Sequence, residues 1–137
     1  METIIRLQDF PLENITNKII CLGIEIHKIL GCGFSEIVYK DAFEYEFLSN
    51  DIIFAREREY KVQYKKILLK HKFFADFVVL NQVILEIKAK ESFADEDYAQ
   101  TINYLKCSGL KVGLILNFGL KRLGIKRTHS AFNGKEG

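Results

Sequence analysis

Residues 72–89 read Lys-Phe-Phe-Ala-Asp-Phe-Val-Val-Leu-Asn-Gln-Val-Ile-Leu-Glu-Ile-Lys-Ala. Two apolar runs flank a polar break at Asn81-Gln82, the pattern of two strands joined by a turn. Only Glu86 and Lys88 interrupt the second run. Side chains alternate along a strand, so these two point the same way as Ile84, and Val83, Leu85 and Ile87 face the other side. A carboxylate and an ammonium are unfavourable in such a strand unless they are paired or hold a metal. Asp76 interrupts the first run in the same manner.

Parity sharpens this reading. Asp76 shares a face with Glu86 in an antiparallel hairpin only if the two stand opposite one another. The loop between the strands must then have an odd length, as with Leu80-Asn81-Gln82. A two-residue Asn81-Gln82 turn sets Asp76 opposite Ile87 instead, unless a bulge intervenes. Three-residue loops usually need a left-handed residue, which Asn81 tolerates.

Two carboxylates on adjacent strands offer hard oxygen ligands suited to Mg²⁺ or Mn²⁺, with coordination positions left for water and phosphate. Such an ion polarises a phosphate and acidifies a water. Lys88, one step beyond Glu86 on the same face, is placed to orient that water or take its proton. The backbone carbonyl of Ile87 is a further candidate ligand. The spacing by itself is weak evidence. With 18 acids and 15 lysines in the chain, about two acid-x-Lys triplets arise by chance. There are two, Glu59-Tyr60-Lys61 and Glu86-Ile87-Lys88, and only the second sits in a buried-type strand with an acid in the strand before it. A structural salt bridge between Glu86 and Lys88 is the competing account.

Outward from this hairpin, residues 12–31 carry Ile15, Ile19, Leu22, Ile26 and Ile29/Leu30 at helical spacing, and Gly31 with Gly33 ends the run. A second helix is expected from about Ser35 to Ser49, with Val38, Ala42, Phe43 and Phe47 as its apolar stripe. Ile52–Tyr64 reads as a strand that turns at Lys65-Lys66 into Ile67–Leu80, and Val83–Ala89 follows. Residues 92–108 read as a helix capped by Ser92, with Asp95, Glu96 and Asp97 favouring its positive end. Lys111–Asn117 is a buried strand, Leu123–Thr128 a short final one, and residues 130–137 a frayed tail. The order α-α-β-β-β-α-β-β implies an α/β fold, a mixed sheet flanked by helices.

The 137 residues suit one domain, with its core at about 12–128, and 48% hydrophobic content supports a packed interior. The net charge of +2 says little, but its distribution says more. Lys61, Lys65, Lys66, Lys70 and Lys72 fall in a stretch without acids, able to follow a phosphate backbone or simply to guard a strand edge. Cys21, Cys32 and Cys107 form no CxxC pair, so neither a zinc site nor a disulfide framework is indicated. With no signal-peptide core and no apolar run near 18 residues, a cytoplasmic setting without membrane contact is expected.

Other blocks add a family. Gly33-Phe34-Ser35-Glu36-Ile37-Val38-Tyr39 has the form G-x-x-E-x-x-Y after IHKILGCG. With FFADFVV, VILEIKA, QTINYL (100–105) and GLILNFG, it resembles the GxxExxY family of the PD-(D/E)xK nuclease-like superfamily, over roughly residues 15–128. That resemblance implies a restriction-endonuclease-like fold and a Mg²⁺- or Mn²⁺-dependent nuclease acting on nucleic acid, with DNA favoured. It implies metal-holding roles for Asp76 and Glu86, an assisting acid in Glu36, and a catalytic lysine in Lys88. Gln100 and Tyr104 match its Q-x-x-x-Y signature, and being four apart they share a helix face. His27 falls in its V-H-K-like block and borders the expected site. Lys61, Lys70 and Lys72 are expected to guide substrate, and a homodimer would place two sites for a double-strand cut. Ala75 replaces the Pro of the superfamily name, and Cys32 stands where the family usually has Pro. A non-catalytic nucleic-acid-binding or regulatory module with the same fold is the alternative, and a protein-interaction domain with a purely structural acid–lysine network is a third.

Overall fold

The computed structural model describes residues 12–130. Helix α1 spans Leu12–Leu30 and α2 spans Glu36–Ser49. Strands β1 (Phe54–Tyr64), β2 (Ile67–Val79) and β3 (Val83–Lys88) follow, then α3 (Asp95–Ser108), β4 (Val112–Asn117) and β5 (Gly124–His129). The element order is the one expected. The expected frayed tail lies outside the described residues apart from Ser130, whose N–H donates to the Lys111 carbonyl at 2.9 Å.

The five strands form one sheet in the order β1-β2-β3-β4-β5. Hairpins make β1–β2 and β2–β3 antiparallel, and α3 carries the crossover that sets β4 parallel to β3. β5 returns antiparallel to β4. Alternation divides the side chains between two cores. Phe77, Val79, Leu85, Ile87 and Leu116 pack beneath α1 and α2, against Ile15, Ile19, Phe43 and Phe47. Val78 and Ile84 meet Tyr104 and Leu105 of α3 on the other face.

In α1, Ile15, Ile19, Leu22 and Ile26 are buried as their spacing requires, and Gly31 ends the helix with φ 70°. In α2 the buried stripe is Tyr39, Phe43 and Phe47, with Val38 and Ala42 outside the fully buried set. The Tyr39 ring stacks on Phe118 at 4.5 Å, and its hydroxyl donates to the Gly31 carbonyl at 2.6 Å. Tyr39 therefore anchors the α1–α2 connection to the end of β4.

Helix α3 starts later than expected. Its cap position is Ala94, not Ser92, and the Asp97 carboxylate turns back to accept from the Ala94 N–H at 2.9 Å. An acid at the third helical position can satisfy the cap residue's backbone donor in this way, so Ser92 is not needed.

Val79 stands opposite Val83, leaving Leu80-Asn81-Gln82 as a three-residue loop with φ 52° at Leu80 and 53° at Asn81. The pairs Phe77↔Leu85 and Val78↔Ile84 hold the same register. Beyond Phe77 the two strands part, while β1 and β2 continue together as a two-stranded arm that turns at Lys65-Lys66. Val62, Tyr64, Ile67, Leu68 and Leu69 are exposed on it.

Candidate functional site

The acids meet where β2 and β3 part. The Asp76 N–H donates to Glu86 Oε2 at 2.8 Å, and the Ile87 N–H donates to Asp76 Oδ2 at 2.7 Å. Each carboxylate replaces a ladder partner of the opposite strand. Alternation also slips at this point, because Phe73 and Ala75 join Val78 on the α3 side. Across the sheet, the β1–β2 ladder is interrupted between Arg56↔Phe77 and Arg58↔Ala75, where Glu57 adopts φ 55°. Irregularities of this kind re-aim side chains at functional sites. Here the irregularity frees Asp76 from the ladder.

Asp76 and Glu86 are 7% and 2% exposed, close to a full desolvation of two like charges. Burial, and then the neighbouring Asp76 charge, hold the Glu86 carboxyl well above its ordinary range, against the pull of the Asp76 N–H, Lys88 and Lys40. Asp76 is compensated from α2, where Lys40 Nζ lies 2.9 Å from Asp76 Oδ1 and 3.2 Å from Glu57 Oε2. Burial lowers the Lys40 pKa, but these two carboxylates outweigh it, so the ammonium stays charged.

Lys88 points to the same face as Glu86 and reaches α3. Its Nζ donates to Gln100 Oε1 at 3.3 Å and lies 3.9 Å from Asp97 Oδ1. Asp97 is 3% exposed and also accepts from Lys90 Nζ at 2.9 and 3.1 Å. Burial raises the Asp97 pKa, but the Lys90 and Ala94 hydrogen bonds more than offset it, leaving it below the usual carboxylate range. Asn117, opposite Lys88 in the parallel register, accepts from the N–H groups of Lys90 and Gly119 through Oδ1 at 3.1 and 2.9 Å. A Cβ at Gly119 would lie 2.3 Å from the Lys90 carbonyl oxygen, so only glycine allows the two loops this approach.

Other expected site residues fall at varying distance from this centre. Glu36 opens α2 one turn before Lys40, a spacing that puts both on one helix face. Its charge reaches Lys90, whose pKa is raised first by the Asp97 hydrogen bond and, more weakly, by Glu36. The Tyr104 ring is buried against Phe73, and its hydroxyl pKa is raised by burial and then by the charges of Glu86 and Asp76. Its body is core, and its polar end lies in the field of the acids. The His27 Nε2 is 2.9 Å from the Leu120 carbonyl oxygen, and its ring lies beside Phe118, whose N–H donates to the Lys88 carbonyl. Lys61 and Lys72 stand opposite each other on the arm, Lys72 pairs with Glu59 at 3.5 Å, and Lys70 is exposed.

Asp76 and Glu86 supply hard oxygens, and a cationic ammonium already sits on Asp76 Oδ1. Among the described residues no group of three or more His, Cys, Asp or Glu side chains could hold a metal ion. The two carboxylates offer oxygens of the kind taken by an ion such as Mg²⁺, which keeps much of its shell for water and phosphate. Lys40, Glu57, Asp97, Lys90 and Asn117 join the site only in three dimensions. Of these, Asp97 alone has a local signal, as the third residue of a helix start.

The family model described as the PD-(D/E)XK nuclease superfamily matches residues 13–128. The chain belongs to the PD-(D/E)XK nuclease superfamily. The sequence carries Asp76, preceded by Ala75, and the triplet Glu86-Ile87-Lys88 within the matched span. Among solved structures, the crystal structure of SSO0001 is similar at a TM-score of 0.52 and 17% identity, over 71% of this chain and 50% of that one. The chain thus spans half the length of that protein, and the likeness concerns the fold. No curated protein matches the chain. No helix among the described residues is long and apolar enough to cross a membrane.

Proposed function

We propose that the protein is a Mg²⁺- or Mn²⁺-dependent nuclease that hydrolyses phosphodiester bonds in DNA, of the GxxExxY type within its superfamily. The observation that carries this reading is the convergence of Asp76 and Glu86 with Lys88, which is itself held by Gln100. Asp76, Glu86 and the Ile87 carbonyl would hold the ion, and Glu36 would assist from the first turn of α2. A divalent ion bound there supplies Lewis-acid polarisation of the phosphate and a more acidic water.

The protein's own groups do the rest. Lys88 orients the attacking water through Nζ, and only as the neutral amine would it also take the proton that the water loses. Gln100 fixes Lys88 with a neutral acceptor at 3.3 Å, while the Asp97 carboxylate stands further off at 3.9 Å. Lys61, Lys70 and Lys72 on the arm engage phosphates outside the site. Cleavage assays with single- and double-stranded DNA and RNA, with and without Mn²⁺, test the reading. Asp76→Ala and Lys88→Ala should each abolish metal-dependent cleavage. Unchanged activity in both would remove the site assignment, and salt-dependent binding without turnover would favour a non-catalytic nucleic-acid-binding module.

A further inference from the structure

Lys40 and Glu57 lie outside the superfamily triad, yet both are built around Asp76. Lys40 Nζ bridges the two carboxylates, at 2.9 Å from Asp76 Oδ1 and 3.2 Å from Glu57 Oε2. Its side chain is 14% exposed and that of Glu57 is 47% exposed. The ammonium therefore spans from the closed interior of the site to its solvent side. Glu57 reaches it from a left-handed backbone, φ 55°, between the regularly paired stretches Phe54–Arg56 and Arg58–Lys61. A non-glycine residue in that region is disfavoured, and such strain concentrates where function requires it.

We propose that Lys40 is an exchangeable internal cation of the acid pair, neutralising Asp76 until a divalent ion takes its place, with Glu57 as its second partner. The inference rests on the reading of Asp76 and Glu86 as metal-holding residues. Lys40 and a divalent ion compete for Asp76 Oδ1, and their like charges oppose close approach. Leaving Asp76 breaks only one of the two Lys40 ion pairs. Glu57 keeps the ammonium from being stranded in a half-buried position without a counter-charge, a strongly unfavourable state. The strained backbone of Glu57 holds that carboxylate within reach of both states.

Mn²⁺ binding to the full chain without nucleic acid, followed by calorimetry and by the electron paramagnetic resonance of free Mn²⁺, tests this directly. Lys40→Met and Lys40→Gln should each tighten Mn²⁺ by roughly 5- to 150-fold, the usual range of coupled binding equilibria. Glu57→Gln should weaken Mn²⁺ in the wild-type background and have no effect in the Lys40→Met background. By reciprocity, Mg²⁺ should shift the Lys40 resonance in spectra of protein carrying ¹³Cε-labelled lysine. Unchanged or weaker Mn²⁺ binding in both Lys40 variants, while Asp76→Asn abolishes it, overturns the exchange and leaves the metal site standing. An equal loss from Glu57→Gln in both backgrounds overturns the role of Glu57. Full Mn²⁺ affinity in Asp76→Asn and Glu86→Gln would remove the metal site, and the exchange with it.

Discussion

Asp76 and Glu86 face one another and exchange side chain for backbone: the Asp76 N–H donates to the Glu86 carboxylate, and the N–H following Glu86 donates to the Asp76 carboxylate. The exchange closes β2 onto β3 where the regular ladder ends. It also fixes both carboxylates by hydrogen bonds that do not depend on a bound ion. Two acids are thus held side by side, at the expense of the ionised form of Glu86.

That expense gives a pH dependence. The folded-state pKa of Glu86 is raised above its ordinary 4.5, chiefly by burial and then by Asp76. The stabilisation this represents is complete below that ordinary value and is lost as pH rises through the folded value. The melting temperature of the metal-free protein should therefore fall as pH climbs from acid towards neutral. Glu86→Gln should flatten the decline and melt higher than wild type near neutral pH, as scanning calorimetry in a chelator would show. Wild type should regain stability with Mn²⁺ and the variant should not. A variant that melts with the wild-type pH profile would exclude Glu86 as the source.

Asp97→Asn should destabilise the protein by about 1–3 kcal/mol, through removal of a charge-assisted hydrogen bond from Lys90 and weakening of the α3 cap. The contribution of Asp97 has the opposite pH sign to that of Glu86. Its pKa is lowered from 3.8, with Lys90 and the Ala94 N–H overcoming burial, so the stabilisation is present above that value and disappears as pH falls through the folded value. Denaturant titrations at pH 7 and pH 3 should differ in wild type by more than in Asp97→Asn. Equal stability of the two proteins at pH 7 would contradict it.

The β2–β3 loop sets another expectation. Asn81 holds φ 53°, which a β-branched residue resists. Asn81→Val should destabilise the fold by about 1–2 kcal/mol, whereas Asn81→Gly should leave it unchanged or up to about 1 kcal/mol more stable. Equilibrium unfolding in urea separates the two. Equal stability of both variants would mean that the loop backbone relaxes out of the left-handed region.

Replacing Lys61, Lys70 and Lys72 together by Ala should weaken DNA binding without selecting among sequences. The slope of log K against log salt should shrink by up to about 0.9 for each phosphate that is no longer neutralised. Fluorescence anisotropy over a salt series measures it. An unaltered slope would place the nucleic-acid path away from the arm.

Part of this site is legible in the sequence through strand parity, although alternation slips at Asp76 itself. Asp76, Glu86 and Lys88 stand out as charges in apolar runs, and the odd loop after Val79 follows from requiring the acids to meet. Gln100 is legible through a spaced motif, and it does reach Lys88. Lys40 and Glu57 are not, since neither has a local pattern and each is defined by a partner from another element. The ladder interruption at Glu57 cannot be seen in a strand whose residues otherwise alternate acceptably. Ser92 looks like a cap because its hydroxyl is the commoner choice, yet Asp97 serves the helix from inside. His27 enters through a neighbouring motif block, and its contact with the Leu120 carbonyl has no signal in the sequence.

Asp97 carries two duties that are usually separate. One carboxylate begins a helix and also stands beside the lysine of the next-door strand. Asp97 thereby links the first turn of α3 to the surroundings of Lys88. With α3 undocked, the β2–β3 exchange can still close the two acids, but Lys88 is left without Gln100 and Asp97. Docking of α3 is thus the step that completes the surroundings of Lys88.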